Sequence, residues 1–242
     1  MPGNDPVIWF VGAGPGDPEL ITVRGRNLLD KAEVLIYAGS LVNPALVESS
    51  PAPEKVDSWN RNLDEIVSLM IDRARKGKRV VRLHSGDSAL YGSIVEQIAE
   101  LEKAGLSVRV VPGVSSVFAA AAALTTEYTP KGVSDTLIIT RPAGRTLETD
   151  YIAELSKVPA TMAFFLGSGH FAGITEKLSC PRDTPAVVIY HASWPDQQII
   201  RGTVADIAQK ARDAGITRSA LLIVGHAVLG TASDYTRSHL YS

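Results

Sequence analysis

The feature that most constrains the fold is a repeated succession of a short apolar run, a glycine-containing turn and a helical pattern. In the first half of the 242-residue chain, the β-branched and aromatic runs Val7–Val11, Val34–Tyr37, Arg79–Leu83 and Ser107–Val111 have the length and composition of buried strands. Amphipathic segments separate them. This alternation predicts an α/β fold with a mostly parallel sheet in the N-terminal half.

The second half changes character. It predicts strands over five further runs: Thr136–Thr140, Thr161–Leu166, Ala186–Tyr190, Ile199–Thr203 and Ala220–Val224. Only residues 191–198 separate the third and fourth of these runs, which is too short for a helical crossover, so this pair is expected to be antiparallel and the C-terminal sheet mixed. We therefore expect two α/β lobes, residues 1–114 and 115–242, with an active-site cleft between them.

Two helix starts have the pattern of a capping box. Asn62 is followed three residues later by Glu65, and Ser93 by Glu96. In this pattern the first side chain bonds the third helical amide, and the acidic side chain bonds back to the capping amide. Both positions are therefore expected to begin helices.

Composition excludes several classes of function. The chain has 24 Lys and Arg against 26 Asp and Glu, so a general nucleic-acid surface is not expected, although a local basic site is allowed. The single cysteine, Cys180, and the absence of Cys-x-x-Cys or His-Glu-x-x-His predict no metal site. The N-terminus lacks the basic region of a signal peptide, and the longest apolar run, Val117–Leu124, is too short to span a membrane. We expect a soluble cytoplasmic protein.

The first glycine-rich motif is Gly12–Pro18, with the sequence GAGPGDP, between a strand and a helix pattern that begins near Thr22. This is the context of a dinucleotide-binding turn, but Asp17 stands where the third glycine belongs, and no carboxylate follows the next strand to bind a ribose. A P-loop lysine is also missing. The motif is either a tight turn without a ligand or a turn that lines a cleft.

Two more motifs directly follow predicted strands. His84–Gly92 is either an Asx-type turn before a helix or a ligand loop, and Pro112–Ser116 either caps the alanine-rich helix or offers backbone amides to a ligand. In open α/β sheets, ligands bind at the carboxyl ends of the strands. If the strands are parallel, these two motifs and Gly12–Pro18 lie at one edge of the sheet.

Four histidines also fall at or just beyond predicted strand ends: His84, His170, His191 and His226. Together they are consistent with a polar cleft, but they lack metal-ligand spacing. Neither a Gly-x-Ser-x-Gly elbow nor a Ser-His-Asp order is present, so a hydrolase has little support.

Taken together, the motifs resemble the tetrapyrrole methylase family, which uses S-adenosylmethionine. The resemblance rests on Val11–Thr22, on Ser85-Gly86-Asp87 followed by Leu90-Tyr91-Gly92, and on Pro112–Ser116, in that order and at matching spacing. It covers essentially the whole chain. One departure is Ser88, where the family usually has proline.

Further segments resemble the branch of the family that methylates precorrin-4 at C11 in cobalamin synthesis. They are Tyr37–Val42, Ser134–Thr136, Ile223–Gly225 and Ser238–Tyr241. Asp135 departs from the glutamine that is usual in that branch. The resemblance implies formation of precorrin-5, with a cytoplasmic homodimer as the working form.

The resemblance also implies residue roles. Positions that match the family's S-adenosylmethionine contacts are Pro15, Ser85, Gly86, Asp87, Leu90, Ser115, Ser116, Leu166, Ala192 and Gly225. The glycine-rich N-terminal turn is expected to line the tetrapyrrole trough, and a polycarboxylate substrate calls for cations. Candidate substrate contacts are Gly14, Gly16, Asp17, Arg24, Arg26, Lys131 and Arg141.

The implied chemistry asks little of side chains, because the methyl group is already activated and positioning supplies much of the rate. No catalytic residue is assigned, no metal is expected, and S-adenosylhomocysteine would be the by-product. The alternatives are methylation at another corrin position, of uroporphyrinogen III, or of cobalt-precorrin-4. Diphthine synthase and ribosomal RNA methylase types share the fold, and a nucleotide-binding module without transfer remains a third class.

Overall fold

The computed structural model describes residues 7–39, 41–144 and 147–232. The chain divides into two compact units, Met1–Ser116 and Val117–Ser242, two residues beyond the boundary expected from the sequence. The division falls at the first turn of a helix, and each unit contains one five-stranded sheet.

The strands and helices of unit 1 alternate as the sequence predicts. The strands are β1 (Val7–Gly12), β2 (Val34–Tyr37), β3 (Glu54–Asp57), β4 (Val80–His84) and β5 (Ser107–Val111). The helices are α1 (Val23–Leu29), α2 (Pro44–Glu48), α3 (Leu63–Arg75) and α4 (Ile94–Lys103), with a short 3₁₀ turn at Pro18–Leu20.

The sheet of unit 1 has the order β3-β2-β4-β1-β5, and each neighbouring pair is parallel. All five strands therefore finish at one end of the sheet, which we call the carboxyl edge of unit 1. The four strands expected from the sequence are confirmed. The sequence did not predict β3, because only Val56 is apolar in this exposed edge strand.

Apolar layers cover both faces of this sheet. One layer packs Leu35 and Leu83 against the helical residues Leu29 and Leu46. The opposite layer contains Phe10 and Ile36 from the strands, packed against residues of α3 and α4 that include Met70 and Leu101. Burial on both faces explains why the inner strands β1 and β2 are almost entirely apolar in the sequence.

One of the two expected capping boxes forms. Asn62 Oδ1 accepts from the Glu65 amide at 2.9 Å, and Glu65 Oε2 accepts from the Asn62 amide at 2.9 Å. At Ser93 the expected helix start is confirmed, but the capping box does not form. Ser93 adopts a left-handed conformation with φ of 48° and makes no capping bond with its side chain, although α4 does begin at the next residue.

Unit 2 contains the remaining elements. Its strands are β6 (Leu137–Thr140), β7 (Thr161–Phe164), β8 (Pro185–Tyr190), β9 (Gln198–Thr203) and β10 (Ala220–Val224). Its helices are α5 (Ser116–Leu124), α6 (Ile152–Leu155), α7 (Phe171–Lys177) and α8 (Ile207–Asp213), followed by a 3₁₀ segment over His226–Ala232.

The sheet of unit 2 has the order β6-β7-β10-β8-β9. β6 and β7 are parallel, whereas β10 is antiparallel to both of its neighbours, and β8 and β9 are antiparallel as expected. The mixed sheet is therefore confirmed. We call the end where β6, β7 and β8 finish and β10 begins the Leu166 edge, and the opposite end, where β10 finishes, the Gly225 edge.

Both faces of this sheet are also covered. Val187 and Ile223 pack against α5 through Val117 and Leu124 on one face, while residues of α7 and α8, including Ile174 and Ile207, cover the other. In the ranges that the structure describes, no helix has the length and apolar character needed to cross a bilayer.

Candidate functional site

Two of the glycine-rich turns bond to each other at the carboxyl edge of unit 1. The Ala13 amide donates to the His84 carbonyl at 2.7 Å. One residue further on, Gly14 and Gly86 exchange both backbone bonds, at 3.2 Å and 2.8 Å. Gly86 has φ of +59°, a conformation that glycine adopts without strain. The first and second motifs therefore form one backbone platform.

The third turn packs onto this platform without intervening side chains. A Cβ on Gly12 would lie 2.5 Å from the Gly113 Cα and 2.7 Å from the Gly86 carbonyl oxygen. A Cβ on Gly113 would lie 2.8 Å from the Gly12 Cα and closer still to the Gly86 oxygen. Glycine is thus required where the three turns touch, and we call this contact the three-turn junction.

The carboxylate of Asp87 joins the second and third turns. Its Oδ2 accepts from the Gly113 amide at 2.7 Å, and its Oδ1 accepts from the Ala89 amide at 2.7 Å. The second bond makes the Asx-type turn that the sequence offered as one alternative. Among the described residues, the Asp87 backbone N–H has no acceptor, so it is available to a polar ligand.

A buried polar layer lies beneath the second turn. His84 is buried and stacks on Phe10 with ring centroids 5.6 Å apart. Burial lowers the pKa of His84 to about 3, and the neighbouring Arg82 charge adds to the effect. Within the described ranges, His84 Nε2 and Ser88 Oγ are the buried side-chain polar atoms without a hydrogen-bond partner. Because its pKa is about 3, the His84 ring is neutral at physiological pH.

Arg82 links this layer to the turns after β3 and before α4. Its guanidinium donates to Ser58 Oγ at 3.0 Å and to Gln97 Oε1 at 3.3 Å, and burial lowers the pKa of Arg82 to about 10. Gln97 Nε2 in turn donates to the Ser93 carbonyl at 3.0 Å. This bond fixes the turn that follows Leu90, in which Tyr91 and Ser93 both have positive φ.

The turn after β2 is held by a residue that sequence reasoning missed. Asp57 Oδ1 accepts from the Gly39 amide at 2.9 Å, and the same carboxylate occupies the space that a Cβ on Gly39 would need. Glycine in the Tyr37–Val42 motif therefore has a structural cause. Ser40 of this motif lies outside the described residues. Asp57 was missed because it ends β3, which the sequence did not predict.

The expected substrate residues of the first turn have local structural roles. Gly14 has φ of +82° and packs against the Leu20 carbonyl. The Gly16 carbonyl accepts from Asn43 Nδ2 at 2.9 Å, and Asp17 Oδ1 accepts from the Glu19 amide at 2.9 Å, which caps the 3₁₀ turn. These bonds stabilise the turn after β1.

The two arginines of α1 are engaged within unit 1. The Arg24 guanidinium lies 5.4 Å from the Trp9 ring centroid, and Arg26 pairs with Asp30 and donates to Ser49 Oγ at 2.8 Å. A substrate carboxylate would have to compete with these contacts. The contacts with Trp9 and Ser49 were beyond sequence reasoning, because these partners come from β1 and the turn after α2.

In unit 2, the structure brings Arg141, Leu166 and Ala192 to the Leu166 edge. Arg141 directly follows β6, and the Phe165 amide donates to the Thr140 carbonyl at 2.9 Å, so the ends of β6 and β7 are adjacent. Leu166 is 62% exposed and has φ of +55°, which is unusual for a non-glycine residue. An exposed apolar side chain on a strained backbone suits contact with an apolar ligand group.

The structure does not bring Gly225 to Leu166 and Ala192, which corrects the expected ligand set. The Gly225 amide donates to the Pro185 carbonyl at the start of β8, whereas Ala192 follows the end of β8. The five paired residues of β10 separate the two edges by roughly 17 Å. The error arose because the sequence gave no sign that β10 is antiparallel to β7 and β8.

The same reversal places other candidates at the Gly225 edge. His226 follows Gly225, and Lys131 lies in the turn at 130–134 that leads into β6. A cavity of about 520 Å³ opens here, lined by residues that include Ser134, Thr161 and Cys180. Ser134 Oγ and Thr161 Oγ1 already donate to backbone carbonyls of this unit.

Within the described ranges, no group of three or more His, Cys, Asp and Glu side chains could hold a metal ion. The terminal motif Ser238–Tyr241 lies outside the described residues, so the structure gives it no position.

Comparison with known proteins defines the class. The family model of the tetrapyrrole (corrin/porphyrin) methylases matches residues 7–208, and the chain belongs to this family. A cobalt-precorrin-4 C(11)-methyltransferase of Methanocaldococcus jannaschii is 47% identical, with 98% of this chain and 93% of the relative covered. A precorrin-4 C(11)-methyltransferase of Pseudomonas aeruginosa is 44% identical over 97% of this chain and 94% of the relative.

Solved structures agree with the fold. A cobalt precorrin-4 methyltransferase superposes with a TM-score of 0.89 at 42% identity, covering 94% of this chain and 98% of that one. A uroporphyrin-III C-methyl transferase from Thermus thermophilus, complexed with S-adenyl homocysteine, gives 0.80 at 28% identity, covering 91% and 92%. The two-sheet α/β architecture is therefore that of the family.

Proposed function

We propose that this chain is an S-adenosylmethionine-dependent methyltransferase that methylates C11 of precorrin-4, or of its cobalt form, in cobalamin biosynthesis. The observation that carries this proposal is the similarity of 44–47% over nearly the full chain to relatives whose names specify the same carbon. Relatives of both kinds match, so the substrate with and without cobalt are both retained. Methylation of uroporphyrinogen III has weaker support, because that structural neighbour is 28% identical.

The three-turn junction fits a polar methyl donor. S-adenosylmethionine supplies a methyl group on a sulfonium, which is already activated for transfer. Ser85, Gly86 and Asp87 are half-buried at the junction, and the Asp87 amide, which has no acceptor among the described residues, is a donor for a polar ligand group. From this unit we propose contacts by Pro15, Ser85, Gly86, Asp87, Leu90, Ser115 and Ser116.

At the Leu166 edge of unit 2, the exposed Leu166 side chain and the Ala192 backbone are proposed donor contacts. Gly225 is removed from the set by its position at the other edge. Arg141 becomes the preferred cation for a substrate carboxylate, because it shares the Leu166 edge, whereas Lys131 does not. A guanidinium binds carboxylates in a bidentate geometry, which suits a polycarboxylate ring.

The proposal includes a cytoplasmic homodimer, as the family resemblance implies. Sedimentation velocity at several protein concentrations tests the oligomeric state. A monomer at all concentrations would remove the homodimer from the proposal without affecting the proposed reaction.

The decisive experiment uses S-adenosylmethionine with a ¹³C-labelled methyl group and a panel of tetrapyrroles: uroporphyrinogen III, precorrin-4 and cobalt-precorrin-4. We expect label at C11 of precorrin-4 or of its cobalt form, located by NMR. Label at another carbon would overturn the assignment of the branch. Absence of transfer to every tetrapyrrole would overturn the proposed activity.

A further inference from the structure

The turn after β8 holds a histidine in an unusually defined setting. The His191 ring is stacked between Tyr190 and Trp194, with centroid distances of 3.8 Å and 4.7 Å and interplanar angles of 16° and 24°. Its Nδ1 lies 2.9 Å and 3.0 Å from the two carboxylate oxygens of Asp196. Two ring neighbours and one carboxylate therefore fix both the plane and the rotation of this imidazole.

The contact with Asp196 determines which ring nitrogen carries hydrogen. An ionised carboxylate only accepts hydrogen bonds, so Nδ1 must donate, and in the neutral ring Nε2 is then the unprotonated nitrogen. His191 Nε2 has no hydrogen-bond partner among the described residues, and it is not one of their buried unpaired atoms. An oriented histidine with an accessible, unprotonated nitrogen is the arrangement of a general base.

This ring is at the Leu166 edge. The His191 amide donates to the Ser219 carbonyl at 3.2 Å, directly before β10. Leu166, His191, Ser193 and Ser219 all have positive φ, and they are four of the seven such non-glycine residues in the described ranges. Strained backbone held by surrounding structure is concentrated at functional sites.

The turn is held in this strained form by specific bonds. The Trp194 amide donates to the His191 carbonyl at 2.9 Å, and the Ser193 amide donates to Gln197 Oε1 at 2.8 Å. These bonds close the turn around the stacked rings. The position of Nε2 is therefore set by the backbone as well as by Asp196.

The proposed reaction requires a proton acceptor. When an electron-rich ring carbon forms its bond to the methyl group, the carbon–sulfur bond of the donor breaks and sulfur keeps the electron pair. The ring system is left with one positive charge. In the substrate without cobalt, losing the proton of a ring N–H discharges that charge, and the electron pair of that bond stays on nitrogen. One base that accepts one proton completes the balance.

We propose that His191 Nε2 accepts this proton, with Asp196 as the positioning residue that orients the ring and stabilises its charged form. This inference rests on the proposed function, because it assumes methyl transfer to a ring carbon at the Leu166 edge. The titratable groups in contact with the ring are Asp196 and Tyr190. Neutral His191 is the active form, because only an unprotonated Nε2 can accept a proton.

The test measures single-turnover methyl transfer against pH for the wild-type protein, His191→Gln and the matched control His226→Gln. His226 is exposed and lies at the Gly225 edge. We expect His191→Gln to lose about 100-fold or more in rate and to lose the acidic limb of the pH profile. The control keeps both. Affinity for S-adenosylhomocysteine, measured by calorimetry, should stay within about threefold of wild type for both variants.

Two further variants keep the proposal falsifiable if His191→Gln folds poorly. Asp196→Asn leaves the ring stack intact, but its amide can donate to Nδ1 and favour the tautomer with hydrogen on Nε2, so we expect a loss of about tenfold or more in rate. Wild-type rate in Asp196→Asn overturns the proposal. So does wild-type rate in His191→Lys, which retains a cation but not a neutral acceptor. Inactive wild-type protein would instead overturn the proposed function.

Discussion

The two sheets of this chain differ in where the residues that follow each strand lie. In unit 1 all five strands run parallel, so every turn that follows a strand reaches the same carboxyl edge. In unit 2 the central strand β10 runs against β7 and β8, so its following residues reach the opposite edge. A motif after a strand therefore identifies a shared site in the first unit but not in the second.

The two candidate sites also differ in composition: the site in unit 1 consists mainly of backbone, whereas the site in unit 2 presents side chains. The three-turn junction of unit 1 is built from glycine contacts and one carboxylate, and its geometry tolerates almost no added atoms. The Leu166 edge of unit 2 instead presents side chains, among them Leu166 and His191. We accordingly expect glycine substitutions at the junction to damage folding, and side-chain substitutions at the Leu166 edge to reduce ligand affinity or rate.

The largest effect is expected for Gly113→Ala. The new Cβ would meet backbone atoms of Gly12 and Gly86, which cannot move without breaking the bonds between β1 and β4. We expect a loss of about 3 kcal/mol of unfolding free energy, measured by urea denaturation. Gly173→Ala is the matched control, because Gly173 lies in α7 with no atom within 4 Å of an added Cβ. Equal stability of the two variants would argue against a close-packed junction.

The buried histidine of unit 1 predicts a pH dependence of stability. The folded pKa of His84, about 3, lies below its ordinary value of 6.5, so the unfolded chain binds the proton first. The stabilising contribution is complete above pH 6.5 and declines as the pH falls toward 3. Between about pH 7 and pH 5, we expect the unfolding free energy to fall by about 2 kcal/mol because of His84.

Urea denaturation at several pH values, compared with His84→Phe, measures this contribution. The variant should show a shallower decline in unfolding free energy over the same range. Parallel curves for the two proteins would show that His84 is not buried in its neutral form.

A smaller effect is expected for Asp87→Asn. The Gly113 and Ala89 amides donate to different oxygens of Asp87, and asparagine replaces one of these oxygens with an NH₂ donor, so one of the two bonds is lost and the link between the second and third turns weakens. Calorimetry should show about tenfold weaker binding of S-adenosylhomocysteine, equivalent to one charge-assisted bond. Asp183→Asn, at an exposed position of unit 2, makes the same chemical change and should bind as wild type. Unchanged affinity in Asp87→Asn would remove it from the site.

The smallest effect compares the two edges of unit 2 directly. Leu166→Ala removes exposed apolar surface at the Leu166 edge, and we expect about fivefold weaker binding of S-adenosylhomocysteine. Leu229→Ala removes a leucine side chain that is 38% exposed, four residues beyond Gly225, and should have no effect. The reverse result would place the ligand at the Gly225 edge.

The sequence predicted the strands because both faces of each sheet are covered, and burial imposes long apolar runs such as Val7–Val11. It missed β3 because only one of the four residues of this edge strand, Val56, is apolar. It also identified the three turns that meet at the junction, since glycine is required where backbones touch. Asp57 went unseen because its partner Gly39 lies 18 residues away in the chain.

Strand direction and side-chain pairing could not be predicted from the sequence, for a different reason. The residues of β10 are equally apolar in either direction, so nothing in Ala220–Val224 distinguishes a parallel from an antiparallel neighbour. His191 was recognised only as a histidine beyond a strand. Its pairing with Asp196 depends on the left-handed backbone of His191 and Ser193, which no local sequence pattern predicts.

Hydrogen exchange with and without S-adenosylhomocysteine tests the central claim most directly. The claim is that the three-turn junction and the Leu166 edge bind the donor, whereas the Gly225 edge does not. We expect slower exchange in peptides covering residues 84–92, 112–116, 165–168 and 190–194, and unchanged exchange in residues 225–229. Protection of residues 225–229 without protection at 165–168 would contradict this account.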